Sequence, residues 1–513
     1  MSEERENSKR IAKNTLLLYV RMLLLMGIGL FTSRVNLQSL GIEDFGIYNV
    51  VGGIVVMFSI LSGSLSAAIS RFLTYELGKG DMDKLSKTFS SSVTIQCLLS
   101  LLVIILGETV GLWFLYNKMV IPEARMHAAI WVYQFSILTF VVNLISIPYN
   151  ASIISHERMS AFAYITIFEA IGKLAIAYFT FISPIDKLIF YAAMMCALGL
   201  LMRIIYGWYC RKHFEECHFQ PVFDSTLLKR MFSFAGWNFI GASSFVLQDT
   251  GGNILINLFF GPTINAARGV AMQVNTAISG FANNFMTAIT PQITKSYAAG
   301  QYDYMMRLIF QGARLSFYIL LFISLPVLVN TPYLLDLWLD EVPDHSVNFV
   351  RLVLIYTLSE SLARTLITAM LATGNIRTYQ IVVGGCALMN LPIAYLLLHF
   401  GAPAETVPMV AIAISIICEM LRVYMLRGMI QLSFRAFYKQ VYLNVIAVTV
   451  CAALLPCLLH HYMPVNFGYF LLSCFVCVIC TAISILYVGC TAEERVFVYN
   501  KAQIVLQKIH LRA

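Results

Sequence analysis

The sequence predicts an all-α integral membrane protein of about fourteen spans, built on a duplicated unit. Three observations predict it. Apolar residues make up 59% of the 513-residue chain and charged residues only 12%, whereas a soluble domain carries about a quarter charged residues. The mean hydropathy is +0.76, and the apolar residues gather into runs of about 20, the length that crosses a hydrocarbon core. Finally, the stretch from Gly41 to Asp83 matches the stretch from Gly261 to Asp303 without a gap. Gly41 falls on Gly261, Val50 on Val270, Ser59 on Ser279, Ala68 and Ile69 on Ala288 and Ile289, Thr74 on Thr294, Gly80 on Gly300 and Asp83 on Asp303, with Lys9 and Arg10 on Lys229 and Arg230 in the same register. A duplicated bundle of membrane helices implies two halves that rock about a central site, the physical plan of alternating access.

In chain order the spans lie near 14–37, 46–70, 89–115, 128–152, 160–182, 186–209, 232–258, 264–290, 307–329, 347–372, 377–400, 405–427, 439–460 and 466–488. The eighth, Ile264 to Thr290, is too polar for a hydropathy window and is recovered as the repeat partner of the second. The expected organisation is a six-helix bundle over 1–210, a cytoplasmic linker over 211–230, a second bundle over 231–428, two extra helices over 429–490 and an interfacial tail over 491–513. The tail reads as amphipathic, with Val496, Val498, Ile504, Val505 and Ile509 set among charges. Basic residues cluster before the first span (Arg5, Lys9, Arg10, Lys13), after the second (Lys79, Lys84, Lys87) and in the linker (Arg211, Lys212, Lys229, Arg230). The positive-inside effect makes those connections cytoplasmic and, with an even number of spans, places both termini there; Lys118, Arg125 and Lys187 are the exceptions on the opposite side.

Several function classes drop out. The net charge of +8 is spread over short clusters between spans, so no basic domain exists to bind nucleic acid. The first span contains Arg21 and Arg34 and is too long for a cleaved signal peptide. There is no phosphate-binding loop for ATP, and no cofactor is implied. Cys474, Cys477 and Cys480 recur in steps of three on one helix, which gives no tetrahedral metal cage, so packing is their reading. No covalent chemistry, and so no enzyme activity, is expected.

The ionisable residues inside spans carry the functional signal, because each costs roughly 2.5 to 3.5 kcal/mol to insert unless paired or hydrated. Arg21 is expected to face a cavity; Arg34 either does so or snorkels to the outer headgroups. Arg268, on the eighth span, either lines the cavity or caps the interface. Glu169 with Lys173, and Glu360 with Arg364, stand at i and i+4 and either neutralise each other or, through Glu169 or Glu360, couple transport to a proton or sodium gradient. Asp249 has no partner on its own helix and is either paired across helices, for instance with an arginine, or a cation site. Glu419 and Arg422 read as interfacial.

Polar uncharged residues crowd the seventh and eighth spans, among them Asn238, Gln248, Asn265, Gln273, Asn275, Asn283 and Asn284. That many amides cannot face lipid. Asn275 and Asn283 join the arginines as candidate substrate contacts. The second span carries small residues, Gly52, Gly53, Ser59, Ser62, Gly63, Ser64 and Ser66, which suit either close helix packing or a cavity wall. Pro148, Pro291, Pro392 and Pro408 mark candidate kinks.

The opening Ser8-Lys9-Arg10-Ile11-Ala12-Lys13-Asn14-Thr15, the run Leu40-Gly41-Ile42-Glu43-Asp44-Phe45-Gly46-Ile47-Tyr48 and the segment Pro148 to Arg158 resemble the lipid-linked oligosaccharide flippases of bacterial polysaccharide and O-antigen export. These are members of the multidrug/oligosaccharidyl-lipid/polysaccharide exporter superfamily. The resemblance implies a MATE-like fold of two pseudo-symmetric six-helix bundles around a central cavity, with two C-terminal helices added. It implies a substrate of undecaprenyl-diphosphate-linked oligosaccharide turned across the bacterial inner membrane, with a polysaccharide polymerase and a ligase as partners. In the related lipid II flippase, cavity arginines on the first, second and eighth helices meet the diphosphate. Here Arg21 or Arg34, and Arg268, fall on the first and eighth, while Arg71 sits at the inner end of the second. Two rival readings stand beside it. One is a cation-coupled drug antiporter of the same superfamily. The other is a membrane glycosyltransferase using the loop residues Asp340, Glu341, Asp344 or His345.

Overall fold

A computed structural model describes residues 2–56, 59–117, 119, 121–220, 224–339, 341–462, 466–492, 494–496 and 499. Among these residues the regular structure is helical throughout. The α-helices are α1 (Ser2–Val56), α2 (Ser59–Lys79), α3 (Met82–Leu106), α4 (Leu112–Asn117), α5 (Glu123–Ser155), α6 (Met159–Phe179), α7 (Lys187–His213), α8 (Ser225–Phe260), α9 (Pro262–Ala298), α10 (Tyr302–Val329), α11 (Thr331–Trp338), α12 (Ser346–Thr373), α13 (Arg377–Leu388), α14 (Asn390–His399), α15 (Thr406–Ile430), α16 (Phe434–Phe437), α17 (Leu443–Tyr462) and α18 (Phe467–Ser484). Eleven helical segments among the described residues have both the length and the apolarity to cross a membrane. The second, seventh and eighth expected spans are helical without meeting that hydropathy: residues 42–56 with α2, the 36-residue α8 and the 37-residue α9. At 1.5 Å per residue α9 is about 55 Å long, ample for a crossing. The repeat therefore located a helix that its polarity had hidden.

The duplication is visible in the backbone. Gly41 and Gly261 both have φ 79°, and their repeat followers Gly80 and Gly300 have φ 73° and 71°. At Gly41 ψ is 171°, a combination that turns the continuous α1 and that residues with a Cβ essentially never adopt. The acidic member of the repeat holds too, with Asp83 and Asp303 each in the first turn of its helix, where a carboxylate complements the helix dipole.

The chain divides into two compact units. The first comprises Met1–Ser243, Thr287–Tyr304 and Leu371–Gln380; the second comprises Ser244–Met286, Met305–Met370 and Ile381–Ala513. In the first unit a core of Val51, Leu115, Ala129, Val132, Tyr133 and Leu188 joins α1, α4, α5 and α7. The Tyr133 hydroxyl donates to the Gly107 carbonyl at 2.7 Å, seating α5 against the π-helical turn Gly107–Gly111. Large apolar side chains such as Leu30, Ile204 and Phe475 remain more than 60% exposed, which only lipid can solvate.

Arg125, a basic exception on the acidic side, is bound by two carboxylates. Its Nη2 lies 2.5 Å from Asp44 and its Nη1 2.6 Å from Asp186. Asp44 and Asp186 come from two other connections, so Arg125 ties three of them together. Lys118, Asp340 and the tail beyond 499 lie outside the described residues. At the start of the tail Thr491 and Glu494 form a reciprocal capping box, Thr491 N–H donating to Glu494 Oε2 at 2.7 Å and Glu494 N–H to Thr491 Oγ1 at 3.4 Å.

Replacing Gly41 or Gly261 by alanine should lower stability by about 1–3 kcal/mol through backbone strain alone, since no atom lies within 4 Å of either Cβ position; thermal unfolding in detergent reads this. At Asp186 burial raises the carboxyl's pKa, but the Arg125 hydrogen bond and the Ile189 and Leu188 N–H groups outweigh it and hold it below its usual value. A depressed carboxyl stabilises fully above its unfolded value, about 3.9, and loses that contribution as pH falls through the folded value. Arg125→Gln should therefore destabilise at pH 7 and cost progressively less below about pH 4, read as the gap between wild-type and variant melting temperatures.

Candidate functional site

The site grows from the α8–α9 turn at Gly261. Two adjacent glycines on α8 admit its neighbours: a Cβ on Gly251 would meet Leu391 at 2.5 Å, and one on Gly252 would meet Arg268 Nη1 at 2.6 Å. Arg268 is 8% exposed, and its Nη2 donates to the Asp249 carboxylate at 2.5 Å and to the Asp249 carbonyl at 3.0 Å. Asp249 thus takes the interhelical arginine partner. A cavity of about 170 Å³ in the second unit adjoins the pair, lined by Gln248, Asp249, Arg268, Asn275, Tyr356 and Asn390 together with apolar side chains.

Asn390 reaches this wall because the eleventh span is broken. α13 ends at Leu388 and α14 begins at Asn390; Pro392 lacks an N–H and its ring opposes the carbonyl four residues back, at Leu388. Asn275 is fixed by two hydroxyls, Thr357 Oγ1 donating at 2.5 Å and Ser279 Oγ at 3.0 Å. On the face of α9, Gln273, Thr276 and Asn283 are exposed. A polar stripe at this spacing on a spanning helix requires water.

Some pairings differ from the expected ones. Among the described residues no ion pair within 4.0 Å joins Glu360 to Arg364 four residues on, although the carboxylate still acts on that guanidinium through space. Arg364 Nη1 instead donates to Asn283 Oδ1 across to α9, and the cation facing Glu360 is Arg422 of α15, at 4.0 Å. Each charge finds a partner on another helix, which spacing along one helix cannot reveal. Arg422 and Glu419, read as interfacial, are 0% and 2% exposed and belong to the interior of the second unit. Tyr356, a further cavity residue, lies within the electrostatic reach of Glu360, Arg422 and Asp249.

The remaining candidates lie in the first unit. Arg21 Nε donates to Thr166 Oγ1 at 2.6 Å, and its guanidinium sits 4.3 Å from the Phe162 ring centre. Glu169, on the same face of α6 as both, pairs with Lys173 at 2.6 Å. Arg34 is exposed. Arg71 donates to the Ala372 carbonyl at 2.9 Å and lies over the Phe72 and Tyr75 rings, so it holds the α12–α13 connection. Among the described residues no heavy atom lies within 4 Å of the Cβ positions of Gly52 and Gly63. In the α11–α12 connection of the second unit His345 Nδ1 lies 2.7 Å from Glu405, and Asn348 donates to the same oxygen at 2.9 Å, a structural tie between the starts of α12 and α15.

Sequence reasoning missed Glu157. Its side chain is 1% exposed and collects Arg10 at 2.9 Å and Lys295 at 2.7 Å, with Gln292 Nε2 donating at 2.5 Å. Its φ is 58°, a left-handed conformation that costs a non-glycine residue roughly 1–2 kcal/mol. Glu157 therefore fastens the start of α1, the α5–α6 turn and the end of α9 together. The one available signal was a carboxylate in a connection whose surroundings are basic.

Comparison with known proteins places this architecture. Residues 11–297, more than half of the chain, match the family described as polysaccharide biosynthesis protein. The chain belongs to that family. It is a multi-pass membrane protein of the multidrug/oligosaccharidyl-lipid/polysaccharide superfamily, and residues 250–396 also match the MatE family. The uncharacterized membrane protein EpsK of Bacillus subtilis (strain 168) is 21% identical over 284 residues, 54% of this chain and 55% of its own length, so the match spans about half of that relative. Among solved structures, MATE in the straight conformation aligns with a TM-score of 0.71 at 12% identity, over 84% of this chain and 97% of the other. A superfamily transporter from Pyrococcus furiosus Vc1 (DSM3638), described as having reversed pocket polarity, aligns at 0.67 and 11% identity, over 83% and 96%. The MATE transporter ClbM in complex with Rb+ aligns at 0.66 and 13% identity, again over 83% and 96%. At these identities the likeness establishes the MATE-like fold of this polysaccharide-family chain.

Glu157→Gln would leave Arg10 and Lys295 without their shared carboxylate. Breaking a buried pair costs about 3–5 kcal/mol, so the variant should melt well below wild type, whereas Arg10→Gln, at a half-exposed partner, should cost much less.

Proposed function

We propose that the chain turns undecaprenyl-diphosphate-linked oligosaccharide, a polysaccharide or O-antigen repeat unit of the kind built into lipopolysaccharide, from the inner to the outer leaflet of the bacterial cytoplasmic membrane. It does so by alternating access, with both termini cytoplasmic and no covalent bond made or broken. A polymerase and a ligase would consume the delivered unit. The reading rests above all on Arg268, a buried guanidinium on the wall of an amide-lined cavity. A diphosphate needs such a fork of donors, and oligosaccharide needs the amides and hydroxyls around it. Asp249 then serves as the resident counter-charge of Arg268 between substrates. Arg21 and Arg34 remain candidates for phosphate contact in the first unit, and Glu360 and Glu169 for coupling to H+ or Na+.

A cation-coupled drug antiporter is the second reading. It is favoured by the MatE match over residues 250–396 and by the half-exposed Asp249 carboxylate. Depleting the protein in its host, and locating the lipid-linked oligosaccharide by leaflet, separates the two. Accumulation on the cytoplasmic leaflet is expected, rescued by wild type. Arg268→Gln should deliver at least roughly tenfold less, since a hydrogen bond to a charged group contributes about 1.5–3 kcal/mol. Normal lipid-linked glycan in depleted cells, with loss of cationic-dye efflux, would install the antiporter reading.

A further inference from the structure

Among the described residues, three buried polar atoms on the wall of the Arg268 cavity have no hydrogen-bond partner: Gln248 Oε1, Asn390 Oδ1 and Arg268 Nε. Their side chains belong to residues 8%, 2% and 8% exposed. Native interiors satisfy nearly all such groups, and one left unpaired costs about 1–3 kcal/mol. One close helix approach and one helix break bring them together. Gln248 precedes the Asp249-Thr250-Gly251-Gly252 stretch on α8, and Asn390 begins α14 at the Pro392 break.

The unmatched atoms specify what would fill the space. Two amide oxygens ask for donors and one guanidinium N–H asks for an acceptor. A bare cation is a poor occupant: the Asp249 carboxylate is already neutralised by Arg268 at 2.5 Å, so the cavity offers a cation no unmatched negative charge and sets a fixed positive one beside it. A hydroxylated ring both donates and accepts. Phe245 and Tyr356 line the same cavity, offering aromatic rings against which the C–H face of a sugar can pack. The volume of about 170 Å³ equals that of some five or six waters at ~30 Å³ each and accommodates a single hexose ring.

We propose that this cavity is a subsite for one pyranose ring, the sugar bonded directly to the diphosphate, read by Gln248 and Asn390 with Arg268 between ring and phosphate. The proposal rests on the flippase reading and deepens it: discrimination of the carrier with its first sugar from the bare prenyl diphosphate resides in these two amides.

The test uses the full chain in lipid nanodiscs, with farnesyl diphosphate and farnesyl-diphospho-sugars bearing glucose, galactose or N-acetylglucosamine as probes. Wild type should bind at least one sugar-bearing probe tenfold or more tighter than farnesyl diphosphate. Gln248→Met with Asn390→Leu, close in shape and lacking the acceptors, should bring the probes to equal affinity while keeping affinity for farnesyl diphosphate, which also reports that the variant is folded. If that variant does not fold, Ala411→Phe, which fills the cavity from α15 and leaves both amides in the chain, should equalise the probes in the same way. Equal binding of all probes by wild type, or a preference that survives in the folded variant, overturns the subsite and leaves the flippase reading standing. Binding of none of the probes by wild type would remove both.

Discussion

A charge inside hydrocarbon has to be balanced by the protein that carries it there, and the architecture is organised by that demand. Bulk water is absent, so each buried guanidinium needs a carboxylate, carbonyl or aromatic face within its own unit. Arg268 finds Asp249 at 2.5 Å and Arg314 finds Glu494 at 2.9 Å, while at the ends of spans Arg125 finds Asp44 and Asp186 and Arg71 takes the Ala372 carbonyl with two aromatic rings. Helix placement follows, because these partners lie on different helices and can meet only in one packing. The pair at Arg268 differs from the others in bordering an open cavity in which the Gln248 and Asn390 amide oxygens are unmatched among the described residues. There the balancing is incomplete, and incompleteness inside a membrane protein is what a polar cargo can exploit.

The fold was largely legible because its signals are periodic. Hydropathy runs marked eleven segments, and the repeat supplied α9, whose amides conceal it from any measure of average apolarity. The paired glycines at 41 and 261 carried their common positive φ of 79° in plain sight, a backbone region that residues with a Cβ rarely adopt. Side-chain partnerships were less legible. Asp249 offered an arginine across helices as one of two readings, and that reading is the one the structure contains. Glu360 and Arg364 still act on each other along one helix, yet each also takes a neighbour on another helix, because interhelical distance is not encoded in spacing. Asn390 carried no signal of its own: its place on the cavity depends on the break imposed by Pro392.

Glu157 shows the same limit from the opposite direction. It lies in the segment Pro148 to Arg158 that carried the family resemblance, but nothing in that segment announces that Arg10, about 150 residues upstream, and Lys295, about 140 downstream, converge on it. Its left-handed backbone is retained in spite of strain because three elements depend on the carboxylate it orients. Such a knot ties the first and second halves of the sequence into the first compact unit, and it concentrates the stability of that contact in one residue.

Gly252 gives the Arg268 cavity an evolutionary handle. The guanidinium lies where it does because α8 presents bare backbone at that point, so the position of the charge is set by a missing methyl group. A lineage could re-aim its cavity toward a different cargo by acquiring alanine or serine there, with every charged and amide residue left intact. Comparisons of binding residues alone would then see two identical sites, while their electrostatics had diverged.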